Sequence, residues 1–226
     1  MSTLQQNYSE VLERIRRAAE ASGRRAESIR LLAVSKTFPA KAIRELYDAG
    51  VRLFGESRAP ELAEKAAALP ADIEWHFIGR LQANKVRKVV QIARMIHSVD
   101  TLPLLERIDR IAGEEGRRPE ILLEVNVSGE ATKAGTAPSA LERLAEEAAG
   151  CRNLVFCGLM TMAPADATET EIAAVFETLR RCRDALAGRL QIALPVLSMG
   201  MSGDFEIAVR HGSTLVRVGS SIFGGR

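Results

Sequence analysis

The sequence predicts one α/β domain, a closed (β/α)8 barrel of TIM type with an extra helix at its N-terminus. Three observations point there. From residue 30 onward, short apolar segments alternate strictly with stretches of helical period, which means parallel strands joined by right-handed crossovers. Eight such strand segments fit into 226 residues, near the low end of the size range for these barrels. No G-x-G-x-x-G follows the first strand and no G-x-x-x-x-G-K occurs anywhere, so the phosphate signatures expected of the competing open, doubly wound sheet are missing. No Gly/Ser linker, low-complexity tract or charge block marks a boundary, and residues 1–226 read as a single domain.

The elements follow in order. Residues 2–21 carry an amphipathic pattern that Ser22-Gly23 stops, giving the extra helix. The apolar run Leu31-Leu32-Ala33-Val34 makes 30–35 the first strand, and Pro39 opens a helix over 40–49. Strand and helix then alternate: 51–55 with 60–68, 74–78 with 84–93, 95–99 with 102–115, and 121–127 with 139–149. The last units pair 155–160 with 169–187 and 196–199 with 204–211. Strand 215–218 closes the barrel and Ser220 opens a short helical turn.

Composition excludes several function classes. Hydrophobic residues make up 46% and charged residues 27%, enough to build a core, and a formal net charge of +2 supplies no field for nucleic acid or anionic membrane. The basic run "NKVRKVV" at 84–90 has no interleaved aromatics and reads as a solvated helix face. No apolar run approaches the roughly 18 residues needed to cross a bilayer, and the polar N-terminus lacks a signal-peptide core. Cys151, Cys157 and Cys182 form no C-x-x-C pair and are expected to be buried small hydrophobes in a reducing cytoplasm.

Chemistry enters at the strand ends, where barrel active sites lie. Lys36 stands at the end of the first strand, where a lysine costs desolvation unless it is used or reaches solvent. Closure makes the first strand a neighbour of the eighth, bringing Lys36 near Arg217 and the Gly219-Ser220-Ser221 turn. The turn after strand seven, "SMGMSGD", offers Ser202 between Gly200 and Gly203. Two such turns on consecutive strand ends, with backbone N–H groups and hydroxyls, suit a phosphate. The histidines His76, His97 and His211 lack zinc-site spacing and read as hydrogen-bonded structural residues, and no G-x-S-x-G is present. A lysine beside an anion cradle fits two Schiff-base chemistries, a class I aldolase acting on a sugar phosphate or pyridoxal 5′-phosphate (PLP) held on the lysine. Arg217 favours PLP, because from strand eight it would face the pyridine nitrogen. As a donor that cannot accept a proton it would weaken the cofactor as an electron sink.

Five ordered blocks add a resemblance covering nearly all of the chain from about residue 30: "LLAVSKTFPAKAI", "WHFIGRLQANK", "EVNVSGEATKAG", "GLMTMAP" and "SMGMSGDFEIAVRHGSTLVRVGSSIFGGR". In these the chain resembles the pyridoxal phosphate homeostasis proteins, single-domain relatives of the N-terminal barrel of alanine racemase. The resemblance implies that Lys36 carries PLP as a Schiff base, that Arg217 faces the pyridine nitrogen, and that Ser202, Gly219 and Ser220 hold the phosphate. Lys133 aligns with an arginine that approaches the cofactor's phenolic oxygen in the racemases, and His76 falls in the family's H-x-I-G block, with no role assigned to it. The chain departs from the family at "GESRAPE", where Ser57 replaces the usual asparagine and Ala59-Pro60 replace Val-Gln. Serine is shorter and lacks the amide donor that the asparagine would supply.

Racemisation needs an acid/base group on each face of the substrate, and racemases take the second from a tyrosine in a C-terminal domain. The sequence ends at Arg226 without one, and its tyrosines, Tyr8 and Tyr47, lie on predicted helices away from the barrel mouth. The expectation is therefore a PLP-binding protein of vitamin B6 and amino-acid homeostasis, not an enzyme, with PLP-dependent apo-enzymes as acceptors and a monomeric state. A racemase-type enzyme with an unidentified substrate is the alternative.

Overall fold

An apolar strand with no polar face has to be covered on both sides, and closing eight of them into a barrel covers the inner face while a ring of helices covers the outer one. The computed structural model describes residues 2–130 and 134–225. Within them the strands are β1 (Arg30–Val34), β2 (Leu53–Glu56), β3 (Glu74–Phe77), β4 (Met95–Val99), β5 (Glu120–Glu124), β6 (Val155–Met160), β7 (Val196–Ser198) and β8 (Leu215–Val218). They pair in parallel, each with the next, and β8 closes on β1 with Leu32 opposite Arg217 and Ala33 opposite Val218. The outer ring is α2 (Ala40–Asp48), α3 (Ala59–Ala68), α4 (Val86–Ile92), α5 (Leu102–Glu114), α6 (Pro138–Gly150), α7 (Glu169–Leu190) and α8 (Phe205–Arg210). The extra helix α1 (Thr3–Ala21) precedes β1, and a single turn, α9 (Ser220–Phe223), follows β8.

Alternation along the strands divides the apolar residues into two cores. Phe54, Phe77, Ile96, Leu123, Leu159, Leu197 and Val216 belong to the larger core that includes the helices' apolar faces. Leu32, Leu53, Met95, Leu122, Cys157, Met160 and Leu215 form the second cluster, inside the barrel. Helix ends carry the expected chemistry at two places: Ser2 with Gln5 caps α1, and Thr168 with Glu171 caps α7, each as a reciprocal box.

Several boundaries differ from the sequence reading, for local reasons. Strand five stops at Glu124 instead of reaching 127, because Val125 makes only an isolated bridge to Thr136 while the Asn126 N–H donates to the Thr136 carbonyl. Strand two is displaced toward Glu56, since the Val51 N–H is spent on the Leu46 carbonyl that ends α2. Helix α4 is preceded by a 3-10 turn, Ala83–Lys85, and α7 runs on to Leu190, where Gln191 turns into the left-handed region at φ 53°. Of the cysteines only Cys157 is buried. Cys151 and Cys182 are half-exposed, each packing one side of a helix end or face against the outer core. The run at 84–90 is solvated as expected on one side, with Arg87 and Lys88 exposed and Val86, Val89 and Val90 buried. Lys133 lies outside the described residues. No helix among them is long and apolar enough to cross a membrane.

Candidate functional site at the barrel mouth

Each strand end contributes a short turn, and the turns after β1, β7 and β8 meet. After β1 the chain makes a tight turn in which the Phe38 N–H donates to the Ser35 carbonyl (3.1 Å), so Lys36 is lifted out of the strand and exposed. Thr37 sits at φ 70°, an unusual place for a β-branched residue, and its N–H is held by Glu61 Oε1 at 2.5 Å. Phe38 then stacks on Phe223 of α9 at 4.9 Å, joining the first and last turns.

After β7, Gly200 takes φ +97° and has no room for a side chain, because a Cβ would come within 2.6 Å of the Ala208 Cβ. Asp204 accepts the Met201 N–H at 2.5 Å and closes the turn, presenting Ser202. The Ser202 hydroxyl in turn accepts the N–H groups of Gly219 (3.3 Å) and Ser221 (3.4 Å) at the start of α9. Two backbone donors therefore meet on the Ser202 hydroxyl oxygen, which ties the β7 turn to the β8 turn. A Cβ on Gly219 would stand 3.2 Å from the Val34 carbonyl, so the β8 turn can approach β1 this closely only with glycine or with some shift.

Arg217 projects into the barrel and is buried. Its Nη1 donates to the carbonyl and hydroxyl of Ser198 (2.8 Å each) and its Nη2 to the Thr161 carbonyl (3.0 Å). Burial pulls the guanidinium down to about 10, opposed by the charges of Glu124 and Asp204, so it remains a cation at neutral pH.

These turns surround one cavity of about 500 Å³, a usual size for a small-ligand site. Lys36, Ser202, Arg217, Gly219 and Ser220 all line it, together with Ser57, Arg80, Glu124, Met160 and Met201. All five residues singled out from the sequence are thus brought together. His76 is not among the lining residues; it is buried inside the barrel, bonded to His97 and Glu74. His97 is buried likewise, and the structural reading of both holds. Tyr8 and Tyr47 do not line the cavity either.

Two charged lining residues escaped the sequence reading. Arg80 adds a third cation. Glu124 is a buried carboxyl at the end of β5, pushed up to about 7 by burial and then by Asp100, with Arg217 and Arg80 opposing. Its signal was a glutamate on the inward alternation of an otherwise apolar strand. Three cations, converging N–H groups and hydroxyls suit an anionic ligand, and an amine at Lys36 adds reactivity toward an aldehyde. Ser57, at the departure in "GESRAPE", lines the cavity, and its backbone packs so tightly on the β3 turn that a Cβ on Gly79 would come within 2.1 Å of its carbonyl oxygen.

Known proteins share this fold and much of this sequence. Residues 7–226 match the family described as alanine racemase, N-terminal domain. The pyridoxal phosphate homeostasis protein of Aquifex aeolicus is 43% identical over 222 residues, 98% of this chain and 97% of that one. Among solved structures, PipY of Synechococcus elongatus with PLP bound is 42% identical with a TM-score of 0.84, covering 95% of this chain and all of the other (100%). Alanine racemase of Streptomyces lavendulae, at 16% identity and a TM-score of 0.79, shares the fold over 99% of this chain and 57% of its own. The chain therefore belongs to the alanine racemase N-terminal domain family and, within it, to the pyridoxal phosphate homeostasis proteins.

Proposed function

We propose that this chain binds PLP at the barrel mouth and takes part in intracellular PLP and amino-acid homeostasis. In this reading Lys36 is the anchor for the aldehyde, Arg217 lies at the pyridine nitrogen, and Ser202, Gly219 and Ser220 hold the phosphate, with residues 1–226 acting as one cofactor-binding domain. The observation that carries it is the convergence of these five residues on one cavity from the two ends of the sequence. When bound, PLP supplies an aldehyde that a lysine amine holds reversibly as a Schiff base.

The residues fit that ligand. Ser202 takes the Gly219 and Ser221 N–H groups on its oxygen and keeps its hydroxyl proton to donate to a dianion at the start of α9, and Lys36 is exposed enough to react. Arg217 donates and never accepts, so it leaves the ring nitrogen unprotonated. The relatives 43% and 44% identical to this chain carry a homeostasis name and not an enzyme's, which supports a carrier: a protein that limits free aldehyde and passes cofactor to PLP-dependent apo-enzymes. A cytoplasmic monomer belongs to the same proposal. A racemase-type enzyme is the second reading, and the observation in its favour is Glu124, a carboxyl poised near neutrality inside the cavity.

The test is to incubate pure protein with PLP, reduce with borohydride and map the modified peptide by mass. A phosphopyridoxyl group on Lys36, absent in Lys36→Ala, is the expected result; label spread over surface lysines overturns the site. Steady turnover of any amino acid, lost in Lys36→Ala, would replace the carrier by the enzyme.

A further inference from the structure

The inside of a (β/α)8 barrel is ordinarily filled by branched apolar side chains. Here four polar side chains run through it in file toward Arg217. Glu74 Oε1, at the N-terminal rim, lies 3.0 Å from His76 Nε2; His76 Nδ1 lies 2.9 Å from His97 Nε2; His97 Nδ1 lies 3.0 Å from Ser198 Oγ. Ser198 Oγ is 2.8 Å from Arg217 Nη1, and Arg217 lines the cavity. His76, His97 and Ser198 are fully buried. Burying such groups is costly unless each is bonded, so a complete file of them in place of leucine and valine calls for a reason.

The two ends of the file decide how its protons are arranged. Arg217 can only donate, so Ser198 Oγ accepts from it. At the other end Glu74 is a carboxylate, its carboxyl held at about 2 by the bond to His76 and by Arg30, whose Nη2 is 2.8 Å away, and it can only accept. Burial keeps both imidazoles below their ordinary range, against the opposing carboxylates Glu74 and Glu120 near His76, and with the charges of Arg217 and Arg30 acting in the same direction near His97. Both rings are therefore neutral at neutral pH. A neutral His76 that donates to Glu74 from Nε2 must accept at Nδ1. His97 then donates from Nε2 and accepts at Nδ1, and the only proton left to fill that bond is the Ser198 hydroxyl's. Every donor points from Arg217 toward Glu74.

We propose that Glu74, His76, His97 and Ser198 form a one-way hydrogen-bond column that fixes the orientation and charge of the Arg217 guanidinium from the opposite rim of the barrel. Because the Ser198 proton is committed to His97, its oxygen faces Arg217 only as an acceptor. The Thr161 carbonyl holds the second nitrogen, and the guanidinium cannot turn. The four residues are positioning residues: none of them lines the cavity, and they act through Arg217, which does. That the held group lies against a PLP ring rests on the proposed function; the column itself does not.

The experiment has two arms. Long-range proton–nitrogen NMR on nitrogen-15-labelled protein without PLP reads the two tautomers directly. The expected result is a neutral ring protonated on Nε2 at both His76 and His97 across neutral pH; an Nδ1 proton on either ring, or an imidazolium, overturns the column. In the second arm the protein is loaded with PLP and the rate of release into an excess of scavenging apo-enzyme is followed by its visible absorbance. Glu74→Ala, on the rim away from the cavity, is expected to mix the histidine tautomers and to speed release about tenfold, the scale of losing an outer partner of a site. Glu74→Gln, whose amide oxygen still accepts, should keep the wild-type tautomers and rate, and Ser198→Ala should behave like Glu74→Ala. Wild-type release from Glu74→Ala overturns the proposal. If borohydride never labels Lys36 in wild type, the PLP reading fails, while the tautomers still decide the column.

Discussion

Lys65 is the residue whose surroundings differ most from what its type suggests. It sits on α3 in helical register with Leu62, on the buried stripe, and its ammonium is enclosed by the Ser35 carbonyl (2.8 Å), Glu56 Oε1 (2.6 Å) and Glu61 Oε1 (2.7 Å). Glu56 is fully buried; its Oε1 also takes the Ser35 hydroxyl at 2.6 Å, and its Oε2 has no partner among the described residues. Burial pushes the Glu56 carboxyl up, and the bonds from Lys65 and then Ser35 oppose it. Breaking a buried pair by removing one partner costs about 3–5 kcal/mol, far more than the pair's net worth, because a charge is left unmatched. Lys65→Met should accordingly lower the urea-unfolding free energy by about that much, and adding Glu56→Gln should restore a large part of it; equal losses in the single and double variants would show that packing, not charge, is responsible. The cluster lies directly beneath the turn that carries Lys36, and Glu61 also holds the strained Thr37. Lys36, Arg217, Ser202, Gly219 and Ser220 were legible because each sits at a strand end. Lys65 was not, since a lysine on an apolar stripe reads equally as one reaching solvent.

At the scale of elements, α1 packs against α8 and α9 and braces both. Asn7 Nδ2 donates to the Ile222 carbonyl of α9 at 2.9 Å, and Arg14 grips Glu206 of α8 through two bonds (3.0 and 2.8 Å) while lying 4.5 Å over the Phe205 ring. The two elements it supports are the ones that end the cradle formed by Ser202, Gly219 and Ser221. The sequence showed α1 as an amphipathic helix but not its target, since nothing local links residue 7 to residue 222. A helix of one turn such as α9 has little stability of its own and takes its shape from what packs behind it. Asn7→Ala removes a half-buried bond worth about 1 kcal/mol to the fold. Its larger effect is expected on phosphate retention: PLP bound by Asn7→Ala should leave faster than from wild type, whereas Arg44→Ala, which removes an exposed pair with Asp48 far from the cradle, should leave release unchanged. Release rates measured side by side decide this, and equal rates would mean α1 does not brace the cradle.

Over the whole molecule, strand count and strict alternation were enough to predict closure, and closure was enough to bring Lys36 to Arg217. What the sequence did not carry was the stagger between strands, which decides which inward side chains stand over one another. His76 and His97 read as separate structural histidines for that reason, although they touch. Stagger and the early end of β5 also left Glu124 unnoticed, and its environment has a consequence for the stability of the whole fold. Its carboxyl moves from an ordinary 4.5 to about 7 on folding, first because it is buried and then because Asp100 is near. Between those two values the unfolded chain has lost the proton while the native protein keeps it, so the native state binds more protons and stability falls as pH rises. The loss is complete above the folded value and amounts to at most about 3 kcal/mol. Glu124→Gln keeps the shape and removes the ionisation. Urea midpoints taken from about pH 5 to about pH 8 should therefore fall for wild type and stay comparatively level for Glu124→Gln, so that the variant gains on wild type toward alkaline pH. Parallel curves for the two proteins would mean that Glu124 ionises freely in the cavity, and would remove the one group that favours an enzyme over a carrier.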